Sequence, residues 1–569
     1  MAPAYDNFDV ELKQGVPTED QPHDNLLHLT SGTFIRLEHG VTRDDLRCSW
    51  QLWEKSENNP DNFSKANGID WTKLLTIHPD PVESRDDLNR HERFALWKFL
   101  DDLILHGPAY FRCFKQNLSH PEVVEQIPIV KSKQVPAEAM DINQSTVQGN
   151  ADAITNLCKQ AAIGDHSVDR GVENIGDHVV LVHGDLSTCE RVQSLQASRG
   201  VEKTPWLRFA FVIFVIGLFH LKMACADAIW KIFIQPKQGR ADDTGLFKLV
   251  AEIRPKETGK FGSKPGFRRM HEVIRHVGIV SRLDCWREMV CKLERPFPNL
   301  ESWAAAKPSW DEVEGIARKL VRTYLPGMAY STLRFRPPEI RDEVQENVLL
   351  QDQYFMYYEE LSYAMDTGDI GRVETCFMPW VFIFKGCGKH KYATQMIRFL
   401  HDLYFVYPER LRHAIRMNIL CNPSGKPFHF RAIDWWVEHN NLYTKRIHGG
   451  RFSNRTKARI LKESALIEVY KTIRMTFEKT FALNHRTYRH SQPKMDKTFK
   501  KLATYMAKIG LHKQQPRTSK YNIKDAKAEG MHKLVAAMKN RTVGLEDIAE
   551  IGDGDVEAEA DGEDGDLDV

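Results

Sequence analysis

The stretch that decides the fold is Val179-Val180-Leu181-Val182-His183-Gly184-Asp185. Four consecutive Val and Leu residues without polar alternation predict a strand buried on both faces, as central strands of α/β sheets are. Asp185 therefore lies at a strand end, where open α/β sheets bind ligands and where an acid can hold a metal ion. The same side chain can instead cap the helix predicted over 186–198, because Asp is a common N-cap. Taken alone, the segment favours the cap.

Composition predicts a folded intracellular protein. The chain has 569 residues, a length that corresponds to about three or four domain-sized units. Of these residues 42% are hydrophobic and 10% aromatic, which is ordinary for a folded protein. Its 10 cysteines form no Cys-x-x-Cys pair and its first residues show no signal peptide, so we expect an intracellular protein that is not secreted, nuclear if its substrate is DNA and otherwise cytoplasmic. The apolar run 209–219 is too short to span a membrane and predicts a buried strand or the start of a core helix.

Charge is distributed unevenly along the chain. From Glu546 onward there are 12 acidic residues and no basic ones, which predicts a disordered acidic tail. Without it, 79 Lys and Arg stand against 77 − 12 = 65 Asp and Glu. Residues 445–541 contain 25 basic and 6 acidic residues with interleaved aromatics. This pattern favours a surface for a nucleic-acid backbone, while solvated faces of ordinary helices are the alternative.

The pattern of apolar residues divides the chain into six segments. We predict an α/β core with a mixed sheet, interrupted by a large helical insertion. In order, the segments are 1–130 as the first part of the core, 131–176 as a polar insertion or linker, 177–235 as the second part of the core, 236–430 as the helical insertion, 431–541 as a helix that completes the core followed by a basic helical region, and 542–569 as the acidic tail.

A polar face is predicted on the segment 434–445. If the segment is helical, Asp434, Glu438, Asn441 and Lys445 recur at i, i+4, i+7 and i+11 and share one side. Such a face can complete a metal site begun by acids at strand ends. A solvent-exposed face supported by charge pairs explains the pattern equally well.

Several short motifs resemble a large fungal, basidiomycete-type family known as domain-of-unknown-function family 6589. The family resemblance extends over nearly the whole chain, to about residue 540, and implies no agreed activity. The motifs that carry it are 5–8 (YDNF), 28–32 (HLTSG), 184–188 (GDLST), 217–220 (GLFH), 367–372 (TGDIGR), 391–393 (KYA), 422–426 (NPSGK) and the helix of Asp434, Glu438, Asn441 and Lys445.

A second resemblance is to cut-and-paste DNA transposases of the hAT and Mutator type. Their RNase H-like core holds two metal ions with one Asp on the first strand, a second Asp on a later strand and a distant Glu that follows a helical insertion. The matching positions here are Asp6, Asp185 and Glu438. A Cys/Asp-x-x-His motif tends to follow the second Asp in these families. This chain has His220 but departs from the motif with Gly217.

The transposase resemblance implies an RNase H-like fold and a DDE-type mechanism with Mg²⁺ or Mn²⁺. Two such ions activate the attacking oxygen and stabilise the leaving oxygen of a DNA phosphodiester, and carboxylates are their preferred ligands. Asp6, Asp185 and Glu438 are then the catalytic and metal-binding residues, and Lys445 contacts a phosphate. His220 is expected to orient the core, with Asp434 and Asn441 in support. The expected nucleic-acid-binding residues are Lys445, Arg446, Arg451, Arg455, Lys457 and Arg459.

The position of Asp6 argues against activity, because an RNase H-type first strand normally carries more residues before its acid. A truncated, decayed or domesticated copy is therefore expected as an alternative to an active enzyme. The competing hypotheses are a non-catalytic nucleic-acid-binding remnant and a helical interaction scaffold. DNA is the expected partner, no membrane is expected, and a homo-oligomer is left open.

Overall fold

The stretch 179–185 forms a buried strand followed by a helix, as its composition predicts. The computed structural model describes residues 1–12, 19, 25–62, 69–80, 88–325, 330–448, 456–483 and 494–539. Within it, Val180–Gly184 is a strand whose five residues are all buried. Asp185 follows the strand and precedes the helix Leu186–Ser198.

The described residues form nine strands and 21 α-helices. The strands are β1 (Ala2–Leu12), β2 (Asn25–Ile35), β3 (Gln134–Pro136), β4 (Ile163–Gly164), β5 (Glu173–Asn174), β6 (Val180–Gly184), β7 (Val212–Ile216), β8 (Leu420–Cys421) and β9 (Arg431–Ala432). The helices are α1 (Ser49–Lys55), α2 (Arg90–His106), α3 (Val147–Gln160), α4 (Leu186–Ser198), α5 (Leu218–Phe233), α6 (Lys237–Ala241), α7 (Leu246–Ile253), α8 (Thr258–Ser263), α9 (Phe267–Val290), α10 (Leu300–Ala305), α11 (Trp310–Tyr324), α12 (Tyr330–Arg334), α13 (Glu343–Thr367), α14 (Ile370–Cys387), α15 (His390–His401), α16 (Glu409–Met417), α17 (Ile433–His448), α18 (Lys457–Ser464), α19 (Ile467–Thr480), α20 (Asp496–Ile509) and α21 (Ala526–Lys539).

Five strands form the main sheet in the order β3-β2-β1-β6-β7. β2 runs antiparallel to β1 and to β3, whereas β1, β6 and β7 run parallel to one another. The predicted mixed α/β class is therefore confirmed. In the register of β1 and β6, Ala4 lies opposite His183. Two residues further along these parallel neighbours are Asp6 and Asp185.

Helices pack against both faces of this sheet. Alternate residues of each strand point to opposite sides, so both faces present side chains to the helices. On β1, Tyr5 packs in a core formed with α3 and α4, and its hydroxyl donates to Asn150 Oδ1 at 2.9 Å. Its neighbour Ala4 packs on the other face with Trp436 and Val437 of α17. Asp6 shares the α17 face with Ala4.

The segment 131–176 is part of the folded core, whereas the sequence predicted a polar insertion or linker there. It supplies β3 at the edge of the sheet and α3, whose Ile154 and Leu157 are buried against it. The prediction missed these elements because β3 has three residues and α3 mixes its apolar residues with Asn150 and other polar side chains. An Asn in a sequence usually indicates a surface position, whereas Asn150 is buried and accepts a hydrogen bond from Tyr5.

Helices α5 to α16 form a mainly helical body on the other side of β6 and β7. Leu181 and Ile213 of these strands belong to the same hydrophobic core as the helices. At the joint between α13 and α14, the Asp369 carboxylate accepts hydrogen bonds from the backbone N–H groups of Val124, Glu125 and Arg372. α14 ends at Cys387, where Gly388 takes the left-handed conformation that often terminates a helix.

The apolar run 209–219 provides β7 and the first residues of α5, which agrees with the sequence prediction. No helix among the described residues is both long enough and apolar enough to cross a membrane. The predicted acidic tail, 542–569, lies outside the described residues.

Candidate metal centre

Four elements bring distant acidic and histidine side chains to one place beside β1. Asp6, His220 and Glu438 each offer a ligand atom, and these atoms lie within 4.8 Å of one another. Asp6 comes from β1, His220 from the first turn of α5 and Glu438 from α17. The fourth residue, Asp185, follows β6 and lies close enough to influence the charge of both Asp6 and His220.

Asp6 is an acid on a buried strand face. Its residue is 8% exposed, and Ala4 and Phe8 on either side of it along the same face are buried. Burial raises the pKa of the Asp6 carboxyl well above its ordinary value, and the negative charges of Glu438 and Asp185 raise it further, against the effect of His220. Carboxylates that crowd together in this way favour either a shared proton or a bound cation.

Asp185 performs the capping role that the sequence favoured and also lies beside the cluster. Its Oδ1 accepts a hydrogen bond from the backbone N–H of Thr188 at 2.7 Å, which caps α4. One carboxylate oxygen is thus used by the helix. Since a carboxylate has two oxygens, capping and cation binding are compatible in the same side chain.

His220 is held in a fixed orientation by Asp434. The Asp434 carboxylate lies 3.0 Å from His220 Nδ1 and accepts hydrogen bonds from the backbone N–H groups of Phe219 and His220. The opposite ring atom, Nε2, lies 3.8 Å from Glu438 Oε1. Burial opposes a charged ring, but the hydrogen bond with Asp434 and the charges of Asp6, Asp434 and Asp185 raise the pKa of His220 well above its ordinary value.

Gly217 leaves room for the carboxylate of Asp434. A Cβ at position 217 would lie 2.6 Å from the Asp434 carboxyl carbon and 2.8 Å from the carbonyl oxygen of Gly184. Both distances are shorter than van der Waals contact. Gly217 therefore permits Asp434 to reach the N-terminus of α5, where its negative charge is favourable.

The predicted polar face of α17 exists, but its residues have different partners. Asn441 accepts a hydrogen bond from Ser31 of β2 and donates to the carbonyl of Asn7 on β1 at 3.3 Å. It fastens the helix to two strands. Lys445 places its Nζ 5.9 Å from the centre of the Phe8 ring, beside β1.

The predicted nucleic-acid-binding residues fall into three groups. Lys445 and Arg446 lie on α17, where Arg446 stands over the Tyr443 ring. Lys457 forms an ion pair with Asp141, and Arg459 forms one with Glu463 on the same helix at 2.8 Å. Arg451 and Arg455 lie outside the described residues. Lys457 and Arg459 thus take part in ordinary ion pairs, which agrees with the alternative of solvated helix faces.

The donors of this cluster fit a divalent cation. Three carboxylates suit a hard ion such as Mg²⁺ or Mn²⁺, and an imidazole nitrogen is a better ligand for Mn²⁺ and later transition metals than for Mg²⁺. The carboxylate behind the ring, Asp434, is an arrangement common around metal-binding histidines. Asp6, Glu438 and His220 are therefore the residues that could hold a cation, with Asp185 adjacent.

Sequence reasoning missed a second mixed cluster within the helical body. Cys285, Asp352 and His512 also offer ligand atoms within 4.8 Å of one another. They are 67 and 160 residues apart along the chain, so no short spacing motif could have indicated them. Only the packing of α9, α13 and the segment after α20 brings them together.

Comparisons with known proteins place the chain in a family without assigning an activity. A model described as a family of unknown function (DUF6589) matches residues 69–490, which is 422 of the 569 residues. The match includes Asp185, His220 and Glu438 and begins after Asp6. No match was found among curated proteins or among solved structures.

Proposed function

We propose that this chain, which belongs to the DUF6589 family of unknown function, is a metal-dependent DNA-cleaving protein of the transposase type. The observation that carries the proposal is the meeting of Asp6 and Glu438, 432 residues apart in sequence, within one cluster of ligand atoms, with Asp185 following the neighbouring parallel strand. A solvent-exposed helix face would not direct Glu438 to a buried acid of β1.

The order of elements supports an RNase H-like core. The two aspartates stand on β1 and directly after β6, which are adjacent parallel strands. A helical body then intervenes before α17 supplies the glutamate. This is the sequence of parts that the resemblance to hAT-type and Mutator-type transposases implies.

The departure at Gly217 has a physical explanation under this proposal. In the resembling families a Cys or Asp stands three residues before the histidine. Here Asp434 brings a carboxylate from α17 against Gly217 and onto His220 Nδ1. The acid next to the histidine is thus provided by another element of the chain.

Each residue has a distinct task in the proposed reaction. Two divalent ions, when bound, supply an activated oxygen nucleophile and stabilise the leaving oxygen of the phosphodiester. Asp6, Glu438 and His220 would hold the cations, Asp185 would stand beside them while it caps α4, and Asp434 fixes the ring of His220 toward the cluster. Burial of Asp6 keeps its carboxylate in one orientation, which precise positioning of a scissile phosphate requires.

The DNA backbone is proposed to approach along the C-terminal half of α17. Lys445 lies nearly two turns beyond Glu438 on the same helix, so its ammonium can contact a phosphate next to the one being cleaved. Arg446 is adjacent. Since each neutralised phosphate releases counterions, the affinity for DNA is expected to fall steeply with salt.

The deciding experiment compares Glu438→Gln with the unaltered chain. Nicking of supercoiled DNA is measured with Mg²⁺, with Mn²⁺ and with EDTA. We expect nicking with either ion, none with EDTA, and a loss of at least about 100-fold in Glu438→Gln, because one carboxylate charge on the cations is removed. Glu314→Gln is the matched control, since Glu314 pairs with Arg318 on the surface of α11.

Retained nicking in a folded Glu438→Gln variant would remove Glu438 from the proposed mechanism. Absence of nicking in the unaltered chain, together with DNA binding that weakens with salt, would instead support the non-catalytic binding remnant. Direct binding of Mn²⁺, followed by electron paramagnetic resonance, tests the metal centre independently of cleavage. Asp6→Asn should weaken that binding at least tenfold.

A further inference from the structure

A buried cluster of Cys285, Asp352 and His512 lies in the helical body, in elements other than those that carry the acidic cluster beside β1. Cys285 and His512 are each 1% exposed, and the Asp352 side chain is 12% exposed. His512 Nε2 lies 3.2 Å from Asp352 Oδ2 and 3.0 Å from Ser281 Oγ. Cys285 Sγ is the third ligand atom of the group.

The ring of His512 is oriented from behind by another acid. Its Nδ1 lies 2.8 Å from Asp284 Oδ2, and both side chains are 1% exposed. A hydrogen bond from Nδ1 to a carboxylate fixes which nitrogen faces the opposite side. It leaves Nε2 directed at Asp352 and Cys285, and this pattern is usual for histidines that bind metals.

We propose that Cys285, Asp352 and His512 form a structural zinc site. Zinc is favoured because thiolate, imidazole and carboxylate are its three common protein donors. Bonds of about 2.0–2.1 Å to a tetrahedral ion would separate two light-atom donors by roughly 3.3 Å. The His512–Asp352 separation of 3.2 Å is close to that value. The Ser281 oxygen, whose hydroxyl donates to Asp352 Oδ1 at 2.7 Å, can supply a fourth donor.

The charges around the cluster also balance for a divalent ion. A Cys285 thiolate and the Asp352 carboxylate together neutralise a Zn²⁺ ion. The ion with its three ligands would be neutral as a group, which lowers the cost of burying it. Asp284, behind the ring, pairs with Arg287, whose guanidinium Nη2 lies 2.7 Å from Asp284 Oδ1 and 2.7 Å from Glu288 Oε1.

Burial excludes a nucleophilic role for Cys285. A reactive cysteine needs access to substrate, whereas Cys285 is only 1% exposed. A site closed by protein atoms on this scale is typical of structural zinc.

The zinc ion would join three parts of the chain. Cys285 belongs to α9, Asp352 to α13, and His512 to the segment that follows α20. The basic C-terminal region would thereby be fastened to the helical body. Because the metal adds its binding free energy to the folded state, removing it should lower the midpoint of thermal unfolding.

The test measures zinc and cobalt binding to the full-length chain in a Glu438→Gln background, which weakens the other candidate site. We expect one zinc ion per chain by elemental analysis. Replacement by Co²⁺ should give the sulfur-to-cobalt charge-transfer absorption that only a thiolate ligand produces. Cys285→Ser and Asp352→Asn should each lower zinc affinity at least tenfold and Cys285→Ser should abolish that absorption.

The control is Cys291→Ser, since Cys291 follows α9 and its thiol donates to the carbonyl of Phe297 outside the cluster. It should keep both the stoichiometry and the absorption. The proposal is overturned if the parent chain takes up no zinc, or if its cobalt form lacks the thiolate absorption. It is also overturned if Cys285→Ser binds zinc as tightly as Cys291→Ser. The cobalt spectrum of the parent decides the matter even if Cys285→Ser fails to fold.

Discussion

At the scale of single residues, position 217 shows how an absent side chain supports the acidic cluster. Asp434 occupies the space next to Gly217 and orients His220 by a hydrogen bond. The sequence indicated that Gly217 departs from a motif but did not indicate the cause. The cause is Asp434, which lies 217 residues further along the chain, and no local pattern predicts a contact between such distant residues.

Gly217→Ala is expected to destabilise the protein by about 1–3 kcal/mol, because its methyl group would displace the Asp434 carboxylate or the Gly184 carbonyl. Chemical unfolding by urea measures the change. The matched control is Gly315→Ala in α11, where a Cβ meets no atom within 4 Å. It should stabilise the protein by about 0.5–1 kcal/mol, since alanine is the better helix former. Equal effects of the two substitutions would contradict the crowding at Gly217.

The acids themselves could be identified from the sequence more readily than their partners. Asp185 was recognised by its place after an apolar run, and it does cap α4. Asp6 carries a signal that was not used, namely an acid between Ala4 and Phe8 on the inner face of an alternating strand. The contact of His220 with Glu438 could not be predicted, because it depends on how α5 and α17 pack.

At the scale of secondary structure, the sequence predicted that α17 is a helix with one polar face. It did not predict what each residue of that face contacts. Its four polar residues do recur on one side, yet Asp434 meets α5, Glu438 meets the cluster and Asn441 meets β1 and β2. Helical periodicity shows which residues share one face of a helix. It does not show which neighbouring elements that face packs against.

The contact between α9 and α20 should weaken in mild acid. His276 of α9 packs on Phe499 of α20 with 5.7 Å between ring centres. Burial lowers the pKa of His276 to about 4, with further lowering by Arg254, Arg275 and His106 against the effect of Glu272. The unfolded chain, with a His pKa of about 6.5, binds this proton first. Stability is therefore retained above about pH 6.5 and lost as the pH falls toward 4.

His276→Leu should flatten this part of the pH dependence, because leucine cannot take up a proton in the unfolded chain. The measurement is the urea midpoint at several pH values between about 4 and 7. An exposed histidine of α21, His532, provides the control, and His532→Leu should leave the profile of the unaltered chain unchanged. A profile of His276→Leu that parallels the parent would show that the ring is not a source of the acid sensitivity.

At the scale of the whole molecule, the sheet and the helical body share one hydrophobic core. Leu181 of β6, Ile229 of α5, Val277 of α9 and Leu361 of α13 all belong to it. The sequence predicted the main α/β segments and the long helical stretch because their apolar patterns are local. It did not predict the strand order, since pairing β1 with β6 depends on contacts between residues more than 170 positions apart.

A shared core predicts a single cooperative unfolding transition for the described part of the molecule. Far-ultraviolet circular dichroism, which is dominated by the helices, and the fluorescence of the tryptophans should give the same midpoint. Gly217→Ala, placed between sheet and α17, should shift both midpoints equally. A helical transition that stays in place while the other moves would show that the helical body unfolds on its own.

The contact between β1 and α17 also determines when the acidic cluster can form during biosynthesis. Asp6 leaves the ribosome 432 residues before Glu438 does. At about 5–20 residues per second, this interval is roughly 20–90 s. Throughout that time the nascent chain carries β1 without α17, so the acidic cluster can form only after α17 has been translated.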